Sequence, residues 1–249
     1  MDYEILGGSF PVVECTLKNG ETMITQSGSM AYMDPTITME TSSNGGLKKV
    51  VGRLFTNEKL FQNIYTSTKD GSKIAFGTCV PGSILAVKIE KGKSLICQKS
   101  SFLASYGDIE LSTFFNKKIG VGLFGGEGFI MQKITGEGIV FIEIDGSTKE
   151  FNLDKGQQLI LSTGYLVSMD DTCSIDVQTV KGLKNIILGG EGIFNTIITG
   201  PGRVTVQTMP LPRLANSIVP YLPTTGSGNA SSGNDAVDAA TSIIKMFRK

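Results

Sequence analysis

The chain has 249 residues with 23 basic and 23 acidic side chains, so no net field draws it toward nucleic acid or an anionic membrane surface. It contains no histidine, which removes the commonest zinc ligand and the usual base of a nucleophilic triad. Its 31 glycines lie well above the usual ~7% and follow no collagen-like period, a composition suited to many tight turns between short strands.

The N-terminal Met1-Asp2-Tyr3-Glu4 is acidic and is followed by no adequate apolar run, so no signal peptide is expected. No stretch reaches the ~18 apolar residues of a membrane span. Turn signals then punctuate the chain at Lys18-Asn19-Gly20, Lys69-Asp70-Gly71, Asp145-Gly146 and Lys155-Gly156, each suited to a hairpin needing positive φ. Between them the apolar residues alternate or run short, as in Ile139-Val140-Phe141-Ile142-Glu143-Ile144, Leu159 with Leu161, and Tyr165-Leu166-Val167. That is the pattern of strands. An all-β protein of sandwich or barrel-like type is expected.

The segments repeat. Gly125-Gly126-Glu127-Gly128 recurs 64 residues later as Gly189-Gly190-Glu191-Gly192, and the same shift takes Lys91-Gly92 to Lys155-Gly156 and Gly136-Glu137-Gly138 to Gly200-Pro201-Gly202. A diverged copy lies upstream, where Leu17-Lys18-Asn19-Gly20 with Met23-Ile24-Thr25-Gln26 parallels Ile89-Glu90-Lys91-Gly92 with Leu95-Ile96-Cys97-Gln98 at a shift of 72. Three units follow, at about residues 5–80, 81–145 and 146–209, stacked on one continuous core with pseudo-threefold symmetry.

No catalytic residue, cofactor or metal site emerges. The four cysteines, Cys15, Cys79, Cys97 and Cys173, are scattered in strand-like surroundings. They read as reduced core thiols of a cytoplasmic protein rather than as a zinc or disulfide framework. The glycine-rich stretch 120–128 lacks the strand-turn-helix setting of a dinucleotide site. The repeat itself supplies the candidate binding residues. Glu58, Glu127 and Glu191 occupy one position of the three units; converging, they would offer oxygen ligands to a cation, and apart, they accept hydrogen bonds from local backbone beside their glycines. Each connector ahead of them is basic, with Lys48, Lys49 and Arg53, then Lys117 and Lys118, then Lys181 and Lys184. These could hold an anion or form solvated faces; around Lys48 and Arg53, the residues Leu47, Val50, Val51, Leu54 and Phe55 have helical spacing.

After the third unit, Met209-Pro210-Leu211-Pro212 introduces a short helix over Arg213–Val219, stopped by Pro220. Residues 224–234 read as a Gly/Ser-rich linker. Residues 235–249 read as an amphipathic helix, with Asn234 as N-cap and Val237, Ala240, Ile244 and Phe247 on one stripe. Such a helix docks on the body or on a partner subunit, with a membrane surface as the lesser alternative.

The Gly-Gly-Glu-Gly-Phe and Gly-Gly-Glu-Gly-Ile-Phe motifs, the Lys-Gly-x-x-Leu-Ile starts, Gly164-Tyr165-Leu166-Val167 and the exit Pro210-Leu211-Pro212-Arg213-Leu214-Ala215 together carry a resemblance over residues 1–223. The chain resembles the altered-inheritance-of-mitochondria family. That resemblance implies a double-stranded β-helix or barrel-like body similar to the tryptophan RNA-binding attenuation protein (TRAP-like), and a homo-oligomer such as a trimer. It implies no established activity. Fungal mitochondrial members are linked to inner-membrane organisation, but this chain lacks a basic, serine-rich leader. Its first unit carries Asn57 where the others have glycine. A non-enzymatic scaffold or assembly module, with protein partners, is therefore the leading expectation. A small-ligand, anion or RNA-binding module is the alternative; the neutral charge and absence of tryptophan speak against RNA stacking.

Overall fold

The structure, a computed structural model, describes residues 1–26, 28–42, 62–117, 128–179, 194–218 and 221. Strand dominates. The first group comprises β1 (Asp2–Leu6), β2 (Val12–Leu17), β3 (Thr22–Gln26), β4 (Met30–Met33), β5 (Ile37–Ser42), β6 (Gln62–Ser67) and β7 (Ser72–Gly77). The second comprises β8 (Gly82–Ile89), β9 (Leu95–Gln98), β10 (Phe102–Lys117) and β11 (Phe129–Asp145). The third comprises β12 (Thr148–Leu153), β13 (Gln158–Ser162), β14 (Leu166–Asp170), β15 (Ser174–Thr179), β16 (Phe194–Thr199) and β17 (Gly202–Gln207), followed by helix α1 (Leu211–Ile218). The glycines of the four turn signals, Gly20, Gly71, Gly146 and Gly156, all have φ near +80°, a region open to glycine at little cost.

One pattern of antiparallel pairing recurs in all three groups. In the first, β7 lies between β2 and β4, while β6 lies between β3 and β5. In the third, β17 lies between β12 and β14, and β16 between β13 and β15. In the second group the long strands β10 and β11 do the work of two each. The Gly138–Asp145 half of β11 pairs with β8 and with the start of β10, and its Met131–Ile134 stretch pairs with β9 and with the end of β10. Glu137 keeps a backbone N–H where the third group has Pro201, which can donate nothing to a ladder. A bulge also recurs, between Met30 and Tyr32, Phe102 and Ala104, and Leu166 and Ser168.

Two further pairings join the groups. β3 pairs with β10 through Thr25↔Ala104, Ile24↔Ser105 and Met23↔Tyr106. β9 pairs with β14 through Cys97↔Ser168, Ile96↔Met169 and Leu95↔Asp170. The result is a ten-stranded sheet flanked by a four-stranded sheet, ordered β1-β2-β7-β4, and a three-stranded sheet, ordered β13-β16-β15. Because β10 and β11 run through it, the large sheet behaves as two successive layers, β5-β6-β3-β10-β11-β8 and β10-β11-β9-β14-β17-β12.

Four layers enclose three hydrophobic clusters, where the sequence suggested one continuous core. Val13, Cys15 and Leu17 of β2 meet Met23, Tyr65 and Phe141 in the first cluster; Leu95, Cys97, Ile109 and Val140 share the second; Ile96, Met131, Met169, Ile198 and Val204 share the third. The division follows from strand alternation: a shared layer sends successive side chains to opposite faces and so feeds a different core on each side. Nor is there a closed barrel among the described residues. β4 and β13 end their sheets without meeting.

Helix α1 begins two residues before the expected Arg213, since the Asp145 carboxylate accepts the Leu211 N–H at 2.9 Å and Pro210 O accepts the Arg213 and Leu214 N–H groups. Arg213 also donates to the Tyr165 hydroxyl. The linker over 224–234, the amphipathic helix over 235–249 and the helical spacing around Lys48 lie outside the described residues. Among the described residues no helix is long and apolar enough to cross a membrane.

Candidate functional site

Glu58, Glu127, Glu191, Lys48, Lys49, Arg53, Lys118, Lys181 and Lys184 all lie outside the described residues. Lys117 ends β10 with its backbone opposite Phe129. What the structure does build is two strand-edge junctions between the groups, and two further edges, β4 and β13, that meet no second strand among the described residues.

The first junction sets β3 beside the start of β10. Its interior is polar but satisfied: the Thr25 hydroxyl donates to the Leu103 carbonyl oxygen at 2.5 Å within the buried interface. At its margin the Tyr106 hydroxyl donates to Glu21 Oε1 at 2.7 Å, and that bond to a carboxylate, helped by burial, pushes the phenol up to about 12. The second junction sets β9 beside β14. Ser94 donates to Asp171, and Lys133 Nζ stands 3.9 Å from the same carboxylate.

Those two edges are β4, paired only with β7, and β13, paired only with β16, among the described residues. These occupy the same places in their groups as strands that do pair across a junction: β4 corresponds to the start of β10 and to β14, and β13 to β3 and β9. Large apolar groups are exposed there, with Tyr32 on β4 and Ile160 on β13. Tyr32 is tied back by its hydroxyl, which donates to Glu14 Oε2 at 2.8 Å, while Lys73 Nζ donates to Glu14 Oε1 at 2.6 Å. The Lys73 bond, then the Tyr32 bond, hold the Glu14 carboxyl below its ordinary range. Sequence reasoning passed over these edges because Ile160 alternates like any core residue; the signal available was its alignment with Ile24 and Ile96 at shifts of 64 and 72.

The titratable groups divide between core filler and one corner. Cys15, Cys97 and Cys173 are buried as expected, but Cys79 is exposed, because it sits in the loop between β7 and β8. Its N–H donates to Glu143 Oε1 at 2.6 Å. Burial raises the Glu143 carboxyl despite that bond, and burial also raises Asp145 next to it. Among the described residues no group of three or more Cys, Asp or Glu side chains is arranged to hold a metal ion.

A Streptococcus pyogenes serotype M6 protein described as uncharacterised is 31% identical over 226 residues, spanning 88% of this chain and 89% of its own. An X-ray structure of another Streptococcus pyogenes protein has the same fold, with a TM-score of 0.72 at 25% identity, covering 89% of this chain and 99% of that one. The family model for mitochondrial biogenesis AIM24 matches residues 3–209, from within β1 through the end of β17. With the repeated glycine motifs and all three strand groups inside that match, the chain belongs to the mitochondrial biogenesis AIM24 family.

Proposed function

We propose that this protein is a non-enzymatic assembly module, built from three copies of one β unit and acting by association with further copies of itself through strand edges. The observation that carries the reading is the pair of end sheets. Among the described residues β4 ends one side of the four-stranded sheet and β13 one side of the three-stranded sheet, although the corresponding strands of the other groups are paired on both sides. An unpaired edge with exposed apolar side chains is a template for another strand. The recurrence of the same pairings and the same bulge in each group supports the threefold internal origin. Burial of three thiols, with Cys15 and Cys97 pushed up to about 12, favours packing over nucleophilic chemistry. Four free cysteines suit a reducing compartment, which favours the cytoplasm.

Sedimentation velocity over a wide range of micromolar concentrations tests the reading. Mass above that of one chain, falling on dilution, is expected; one chain's mass at every concentration would defeat it. In the same preparations, oligonucleotide binding that weakens steeply with added salt would instead favour the nucleic-acid alternative.

A further inference from the structure

Helix α1 carries Leu211, Leu214 and Ile218 at steps of three and four, which places them on one stripe. A surface helix ordinarily buries such a stripe against its own protein. Here no residue of α1 is buried; Leu211 is 46% exposed, Ile218 47%, and Tyr221 just beyond the helix 86%. The contacts that hold α1 are polar and sit at its start, where the Asp145 carboxylate accepts the Leu211 N–H and Arg213 donates to the Tyr165 hydroxyl. The helix is thus anchored at one end, and its apolar side stays open.

The corner beside that anchor is acidic. Glu143 and Asp145 stand two residues apart on β11, so their side chains leave the same face of the strand. Their polar partners are backbone N–H groups, those of Cys79 and Val80 for Glu143 and that of Leu211 for Asp145. Among the described residues neither carboxylate is ion-paired with a lysine or arginine. Burial raises both carboxyls, and positive charge brought beside them would offset part of that cost.

The same chain supplies a segment that complements both features. Residues 235–249 carry Val237, Ala240, Ile244 and Phe247 on one helical stripe, with Asp235 and Asp238 early and Lys245, Arg248 and Lys249 late. Residues 222–234, when extended, reach about 40 Å, several times the roughly 12 Å length of an eight-residue helix, so the segment can approach α1 in either direction. Charge selects one of them. A parallel arrangement would set Asp235 and Asp238 at the Glu143–Asp145 corner, whereas an antiparallel one sets Lys245, Arg248 and Lys249 there and opposes the two helix dipoles. We propose that residues 235–249 dock as a helix on the Leu211, Leu214 and Ile218 stripe of α1 in their own chain, antiparallel to it, with the basic end at Glu143 and Asp145. This contact is independent of the β4 and β13 edges, and it makes α1 a receptor for a segment of the same molecule.

The chain contains no tryptophan, so Phe247→Trp in the full chain gives a single fluorescent reporter on the segment. At sub-micromolar concentration its emission should be blue-shifted from that in denaturant and shielded from acrylamide. Leu214→Asp or Ile218→Asp, each checked for unchanged circular dichroism, should raise the quenching constant at least threefold. Direction is read by energy transfer to a short-range dye on Cys79, the exposed thiol at the acidic corner: transfer from Phe247→Trp should exceed that from Val237→Trp at least twofold. Fully exposed emission at every concentration would overturn the proposal, and so would shielding that neither stripe substitution changes. Shielding that appears only as protein concentration rises would overturn it in favour of docking on a second copy, and shielding that requires phosphatidylserine vesicles would overturn it in favour of a lipid surface. Stronger transfer from Val237→Trp would overturn the antiparallel arrangement.

Discussion

Cys79 and the carboxylates beside it give the individual side chains their most direct readouts. Burial pushes Cys15 and Cys97 up to about 12 and raises Cys173 as well, so little thiolate exists on them at mildly alkaline pH and solvent does not reach them. In the folded protein a thiol reagent should therefore modify Cys79 alone, with all four reacting in denaturant, and Cys79→Ser should abolish native labelling. Rapid native labelling of Cys97 would contradict its place in the core. Glu143 and Asp145 set a pH dependence. Burial raises both carboxyls above their ordinary values, so the folded chain keeps these protons at a pH where the unfolded chain has released them. Their contribution to stability is fully present below the unfolded carboxyl range and is lost as pH rises through the folded values. Glu143→Gln keeps an acceptor for the Cys79 N–H and removes the charge. It should raise the thermal midpoint at neutral pH and change it little in acid.

Among the elements, the β10–β11 hairpin is the one on which two layers depend. Gly136 has φ +113°, and a Cβ placed there would lie 1.9 Å from the Asp108 carbonyl oxygen, so both backbone conformation and space demand glycine where the hairpin passes from one layer to the next. Gly136→Ala should cost roughly 2 kcal/mol or more in denaturant unfolding. At Gly20, with φ +82° and nothing within 4 Å of the added atom, alanine should cost only the left-handed strain of about 1–2 kcal/mol. β9 and β13 offer a matched pair. Ile96→Ala removes a fully buried side chain and should cost about 2–5 kcal/mol. Ile160→Ala in the dilute monomer should stay within about 0.5 kcal/mol.

The same two strands show what could be read from the letters alone. The shift of 64 aligns Leu95-Ile96-Cys97-Gln98 with Leu159-Ile160-Leu161-Ser162, which are β9 and β13, and the four turn glycines marked hairpin positions because only positive φ closes such turns tightly. Which strand edges meet was not legible. That depends on contacts between distant segments, and an isoleucine is the same letter whether its neighbouring strand belongs to its own chain or to another. The unbroken run of β11 was hidden for a related reason: Gly136-Glu137-Gly138 looks like a turn, yet it stays in the ladder with β10 alongside and Gly107 opposite Gly138. The candidate site read from repeated glutamates and lysines rests on recurrence. Recurrence marks a shared turn as readily as a shared ligand, and all of those residues but Lys117 fall outside the described part of the chain.

At the scale of the whole molecule, the described residues form four layers in series around three cores, with β4 and β13 at sheet edges. Ile96 of β9 reaches into the third core while Leu95 and Cys97 fill the second, so neighbouring groups share side chains as well as strands. Amide hydrogen exchange at Leu159, Ile160 and Leu161 of β13 and at Tyr32 and Met33 of β4, followed as a function of protein concentration, reads association through these edges directly. Outward-facing amides on both strands should become protected together as concentration rises and lose protection on dilution, while those of β9 and β14 stay protected throughout. Protection on β13 and β4 that is absent at every concentration, or that does not change with dilution, would contradict assembly through these strand edges.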